Sequence, residues 1–227
     1  MNDAVVWGVA MMAAYLVGSI PFGLVLGRLK GVDIREHGSG NIGATNVRRV
    51  LGPTLGNVCF ALDLLKGALP TVVAGVVLGP LLAEVLAPGA AWAWLGVAVS
   101  TILGHVFPIY LRFKGGKGVA TAFGSMLALW PFTTLPALGA LGVWIGTVRV
   151  WRMVSLASCA AAVSLPVLVA LVTLVVFRQH PPATAAPFVI VTAALAALVV
   201  YRHRSNIARI RAGTEAKVGA KVGVSSR

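Results

Sequence analysis

The chain has 227 residues, 58% of them hydrophobic and 11% charged, with a mean hydropathy of +0.91. That apolar surface exceeds what one soluble core can bury, so a soluble enzyme is excluded and lipid must solvate much of the molecule. A formal charge of +13 from 19 Lys and Arg against 6 Asp and Glu would suggest nucleic acid in a soluble protein. Here the basic residues sit in short connections between apolar segments, where they signal topology, so no nucleic-acid partner is expected.

A bilayer span needs ~20 apolar residues. Ala4 to Leu26 is the first such stretch, with no Lys or Arg before it and no small-residue cleavage site after it, so it is expected to stay as a permanent helix. The connection Gly27 to Val50 carries Arg28, Lys30, Arg35, Arg48 and Arg49, which places it in the cytoplasm and the N-terminus outside. Leu51 to Leu82 crosses outward despite Asp63 and Lys66, and the connection around Gly79 to Ala90 has no Lys or Arg. Leu86 to Leu111 then returns the chain to Arg112, Lys114 and Lys117.

Val119 to Val148 ends at Arg149 and Arg152, on the same side as it began, so parity requires an even number of crossings. Pro131 and Pro136 divide it into two short helices, or into a re-entrant hairpin, because the stretch is short for two crossings at ~1.5 Å per residue. Met153 to Phe177 leads outward to a loop with Arg178, and Ala183 to Val200 leads back to a basic tail from Arg202. The expected fold is all-α: a polytopic transmembrane bundle of seven short helices, with six or five crossings as alternatives, N-terminus outside and C-terminus cytoplasmic. Residues 1–212 form one domain and 213–227 a basic cytoplasmic tail. Cys59 and Cys159 lie in apolar segments as reduced thiols without metal-ligand spacing, so no metal and no cofactor is expected.

Three polar clusters fall on the cytoplasmic side. The first, Gly38-Ser39-Gly40-Asn41-Ile42-Gly43-Ala44-Thr45-Asn46 with Arg48 and Arg49, combines small residues that let backbone N–H groups approach an anion with hydroxyls, amides and an arginine that complete a phosphate cradle. It satisfies GxGxxG formally, but a membrane helix precedes it instead of a strand, so a dinucleotide site is rejected. The second, Lys114-Gly115-Gly116-Lys117-Gly118-Val119-Ala120-Thr121, opens a helix whose N-terminus favours anions. Gly118 stands where a Walker loop needs Ser or Thr. In the third, Arg202-His203-Arg204-Ser205-Asn206-Ile207 running on to Arg209 and Glu215, His203 is an acid–base candidate near neutral pH and Asn206 shares its helical face.

Asp63 and Lys66 are spaced to pair on one helix face, as unpaired charges in hydrocarbon cost several kcal/mol, so a structural pair and a substrate role are both open. His105 reads as an oriented structural residue. No HExxH, nucleophile elbow or paired carboxylates occur, so the clusters describe anion binding. An organophosphate transporter is the rival class, but it would bind near the midplane with repeat symmetry, and no repeat is evident.

Together SGNIGATN with Arg49, FKGGKGVAT from Phe113, and HRSNI with Arg209 and Glu215 resemble the bacterial acyl-phosphate:glycerol-3-phosphate acyltransferases, and the likeness extends to GSIPFG at Gly18, DLLKG at Asp63 and GHVFP at Gly104. The resemblance implies transfer of a fatty acyl group from acyl phosphate to the 1-hydroxyl of glycerol 3-phosphate, giving lysophosphatidate and phosphate at the inner face of a bacterial cell membrane. Acyl phosphate, glycerol 3-phosphate and membrane lipids are the implied partners. Ser39, Asn41, Arg49, His203 and Asn206 form the expected catalytic set. The expected substrate-binding set is Gly38, Gly40, Gly43, Thr45, Asn46, Lys66, Lys114, Gly115, Gly116, Lys117, Gly118 and Thr121, supported by Asp63, His105 and Glu215. Whether His203 or the donor's phosphate takes the hydroxyl proton stays open.

Overall fold

The computed structural model describes residues 3–175 and 182–219, and these are helical with no strand. Arg178 of the expected outer loop and the tail beyond Gly219 lie outside the described residues. Helices α1 (Asp3–Gly18) and α2 (Phe22–Arg28) form one apolar stretch interrupted before Pro21, whose ring and missing N–H cannot continue the ladder. A short amphipathic helix, α3 (Ala44–Leu51), leads into α4 (Pro53–Val77) and then α5 (Pro88–Val106), both opened by proline at the first helical position. A 3₁₀ turn at Ile109–Leu111 precedes α6 (Val119–Ala128), followed by α7 (Thr134–Trp151), α8 (Val154–Val175), α9 (Pro182–Arg202) and α10 (Arg204–Arg211).

Among the described residues six stretches are long and apolar enough to cross a bilayer: Asp3–Arg28, Pro53–Val77, Pro88–Leu111, Thr134–Trp151, Val154–Val175 and Pro182–Arg202. Helix α6 is apolar but has 10 residues, so it rises ~15 Å, half of a hydrocarbon core of ~30 Å. The seven short helices expected therefore become six of spanning length and one of half length. The division falls between α6 and α7, with Pro131 inside the turn and Pro136 in the first turn of α7, where a missing N–H costs little.

Between helices in lipid there is no solvent-driven attraction, so close approach of small residues must supply the packing. A Cβ on Gly18 would strike the backbone of Thr101, and one on Gly104 the backbone around Tyr15 and Ser19, which is how α1 and α5 come together. Gly67 and Gly124 do the same for α4 and α6, against the carbonyls of Thr121 and Leu64. Polar groups stitch α4, α5 and α6 together: Ser125 Oγ lies 2.9 Å from Thr101 Oγ1 and 3.2 Å from the Gly67 carbonyl, and Trp94 Nε1 donates to the Thr71 carbonyl at 2.8 Å.

Asp63 and Lys66 are paired at 2.9 Å with 2% of each side chain exposed. Lys66 Nζ also donates to the Ile20 carbonyl (2.7 Å) at the break between α1 and α2, and His105 Nδ1 stands 3.6 Å from Asp63 Oδ1. The three residues join α1, α4 and α5 inside the bundle. Of the two open roles of Lys66 the geometry shows the pair, and His105 of the same group lies directly against Gly116.

Candidate active site

The loop from Gly31 to Gly43 folds back on α2, and its Ile34 and Ile42 are buried with Leu24, Val47 and Cys59. Asn46 organises it. From the first turn of α3, its Oδ1 accepts the Ser39 N–H (2.8 Å) and its Nδ2 donates to the carbonyls of Ile34 (3.0 Å) and His37 (3.1 Å), leaving 1% of the residue exposed. Gly38 has φ +62°, and a Cβ there would fall on Asn46 Oδ1. Asn41 Oδ1 accepts the Gly43 N–H at 2.9 Å, a local turn that starts α3. Asn46 thus spends both side-chain atoms on the loop, and Asn41 spends its Oδ1. Ser39 is exposed, and neither its hydroxyl nor the half-buried Arg49 guanidinium has a protein partner among the described residues. Gly40 and Thr45 are exposed beside them.

The second and third clusters are physically joined. Lys117 Nζ donates to Asn206 Oδ1 across 89 positions of chain. Asn206 Nδ2 donates to Glu215 Oε1 (2.6 Å), which also accepts from Ser155 Oγ (2.6 Å), while Arg209 Nε donates to Glu215 Oε2 (2.7 Å). Burial alone would raise the Glu215 carboxyl, but those hydrogen bonds outweigh it and hold it below its ordinary range. Burial also pushes the Lys117 ammonium down to about 8, with Glu215 opposing and Arg209 reinforcing. Gly118, at φ +80°, lets the chain turn from Lys117 directly into α6. Lys114 is exposed, and Thr121 is fully buried at the α4–α6 contact, its hydroxyl without a protein partner among the described residues.

His203 sits in the turn between α9 and α10, 3% exposed, with Nδ1 2.8 Å from the Val199 carbonyl. A carbonyl can only accept, so Nδ1 carries the proton and Nε2 is left as the acceptor. Burial, together with the Lys117 charge, pushes the imidazole down to about 4, so it is neutral at pH 7. No hydrogen bond or ion pair links the first cluster to these two among the described residues. Packing does: Leu111, three residues before Lys114, lies against the core that holds Ile34 and Ile42.

Helices α6 to α9, with Phe60 of α4, line a partly open apolar cavity of about 140 Å³. Its wall includes Val119, which follows Gly118, and Val199, whose carbonyl holds His203; Phe123, Met126, Trp144 and Leu165 extend it into the bundle, and Ala122, Ala140, Ala161 and Ala196 leave it open. One end of a greasy slot therefore adjoins the Lys117–Asn206–Glu215 chain. The motifs did not reveal this cavity. Its sequence signal is the run of alanines on four successive helices.

These features recur in known proteins. Residues 8–213 match the family model described as glycerol-3-phosphate acyltransferase. A glycerol-3-phosphate acyltransferase of Trichlorobacter lovleyi is 48% identical over 207 residues, covering 91% of this chain and 95% of the relative. One from Thermosynechococcus vestitus is 42% identical over 224 residues, covering 98% and 100%. Among solved structures, PlsY (YgiH), described as an integral membrane glycerol 3-phosphate acyltransferase, superposes in its glycerol 3-phosphate form with a TM-score of 0.78 at 37% identity, covering 94% of this chain and 96% of that one. Its lysophosphatidic acid form gives 0.76 at 36% identity, covering 94% and 95%. With a family model over nearly its whole length, relatives matched end to end and the same membrane architecture, this integral membrane protein belongs to the glycerol-3-phosphate acyltransferase family.

Proposed function

We propose that the chain moves a fatty acyl group from acyl phosphate to the 1-hydroxyl of glycerol 3-phosphate, releasing lysophosphatidate and inorganic phosphate, at the cytoplasmic face of a bacterial cell membrane, as the first acylation of phospholipid synthesis. The observation that carries this reading is the junction of an apolar slot with a cluster of excess positive charge, which suits a donor that is half lipid and half phosphate. Relatives named for the same acceptor support it. The basic connections, which share one face by the positive-inside rule, support the orientation.

In this reading the acyl chain lies in the cavity and its carbonyl reaches the mouth beside His203. Lys117 and Arg49 hold phosphate oxygens, and Asn206 and Ser39 orient the reacting carbonyl. The acceptor oxygen attacks the carbonyl carbon, the carbon–oxygen bond to phosphate breaks, and phosphate leaves with that electron pair. The hydroxyl proton needs a base. His203, pushed down to about 4, holds a proton poorly, whereas the departing phosphate gains negative charge as its bond to the carbonyl carbon breaks and becomes the better base. The donor's own phosphate therefore takes the proton, and neutral His203 accepts a hydrogen bond at Nε2 that orients the hydroxyl. The start of the tail, from Gly213, delivers Glu215 to the site.

Purified protein in lipid, given acyl phosphate and glycerol 3-phosphate, should form lysophosphatidate and phosphate in equal amounts. No turnover would sink the assignment, and equal rates with acyl-CoA would contradict the donor.

A further inference from the structure

Arg202 opens the third polar cluster of the sequence. In the structure its Nη2 donates to two consecutive backbone carbonyls, Gly115 at 2.9 Å and Gly116 at 3.0 Å. Opposite it, the Gly116 N–H donates to the His105 carbonyl at 3.1 Å. A trans peptide is planar, with its C=O and N–H pointing in opposite directions. The Gly115–Gly116 peptide is thus held at both ends, its carbonyl by Arg202 and its N–H by His105. The Gly116–Lys117 peptide is held at its carbonyl, which turns the Lys117 N–H away from Arg202, and no protein acceptor meets that N–H among the described residues.

The guanidinium is itself fixed. It lies over the Phe107 ring, 5.7 Å from the centroid, and the Phe107 carbonyl accepts Tyr15 Oη at 2.6 Å. A segment with glycine at 115, 116 and 118 has much backbone freedom to lose, so its shape has to be imposed from outside. Arg202 imposes it from the last turn of α9, one residue before His203 and four before Asn206.

We infer that Arg202 is a positioning residue for the phosphate acceptor. It turns the Gly115 and Gly116 carbonyls away from the anion, so that Lys117 presents its backbone N–H and its ammonium to the same phosphate. This rests on the proposed function, in which the 114–118 loop takes glycerol 3-phosphate. With Nη2 given to the two carbonyls, Arg202 acts through the shape of the loop.

The test uses the full chain in detergent with Arg202→Met and Arg202→Lys. Calorimetric binding of glycerol 3-phosphate, without any acyl donor, should weaken about tenfold in Arg202→Met. KM for glycerol 3-phosphate should rise by a similar factor, with kcat and KM for acyl phosphate held within about twofold. Arg202→Lys keeps one charged donor and should recover part of the affinity. Unchanged binding in a folded Arg202→Met protein, equal rises in both KM values, or no recovery with lysine would overturn the inference. If Arg202→Met does not fold, Arg202→Lys decides alone: a loss of about threefold confined to glycerol 3-phosphate supports the inference, and wild-type affinity overturns it. The binding arm needs no turnover, so a wild-type protein that binds glycerol 3-phosphate but transfers no acyl group would fail the proposed function and leave this inference separately decided.

Discussion

Asp63, Lys66 and His105 inside the bundle use the same kinds of groups as Lys117, Asn206, Glu215 and Arg209 at its end. In the inner set one carboxylate meets one ammonium, and the remaining donor capacity of Lys66 goes to the Ile20 carbonyl. In the outer set one carboxylate faces Arg209 directly and Lys117 only through the neutral Asn206, with Arg202 nearby. The inner set pairs its charges and ties helices together, with His105 Nδ1 left without a hydrogen bond among the described residues. The outer set keeps an excess of positive charge that only an anion can neutralise. What separates a staple from a site here is charge balance together with exposure: the inner pair is fully buried, whereas Lys117, Arg209 and Glu215 are only half-buried.

Breaking the inner set should have the largest effect. Asp63→Ala leaves the Lys66 charge buried and unpaired, a loss of about 3–5 kcal/mol, read as a fall in thermal unfolding temperature in detergent, whereas Asp63→Leu with Lys66→Met should recover most of it. A well-folded Asp63→Ala protein that merely lost activity would move the inner set into the site. Next, His203→Ala should lower kcat by about 10²-fold with little change in KM, because the hydroxyl loses its orienting acceptor. Lys117→Ala should instead raise KM for glycerol 3-phosphate about tenfold, as a charge-assisted contact is lost. If either variant kept full activity, the division of roles would fail.

A smaller effect follows from the sign of the Lys117 shift. With its ammonium near about 8, the cation is present below that pH and lost above it. KM for glycerol 3-phosphate should therefore climb between pH 7 and 9 in wild type and stay flat in Lys117→Arg, which does not titrate there. The smallest change is expected for Lys114→Ala, within about threefold, because an exposed ammonium is well screened. A larger loss would bring Lys114 into direct substrate contact.

The long apolar segments, the division at Pro131, the Asp63–Lys66 pair and the three clusters were legible because each is local: a length, a spacing or a short motif. The half-length of α6 and the cavity beside it depend on how four helices pack, which no single segment reports. Asn46 looked like a substrate ligand because its type and place suit one, yet it spends both side-chain atoms on the loop 34–39. The joins of Lys117 to Asn206 and of Arg202 to Gly115 and Gly116 span 86 to 89 positions, so pattern and periodicity carry no trace of them. Helix α3 was hidden by its glycine-rich approach, which reads as loop up to Gly43.

The central claim is that one charged end of the bundle holds both phosphate substrates together and transfers the acyl group directly. Initial rates measured while acyl phosphate and glycerol 3-phosphate are varied against each other test it, with intact-protein mass recorded after exposure to acyl phosphate alone. The account predicts intersecting reciprocal plots and no added mass. Parallel plots, with an acyl adduct on Ser39 or Cys159, would contradict it.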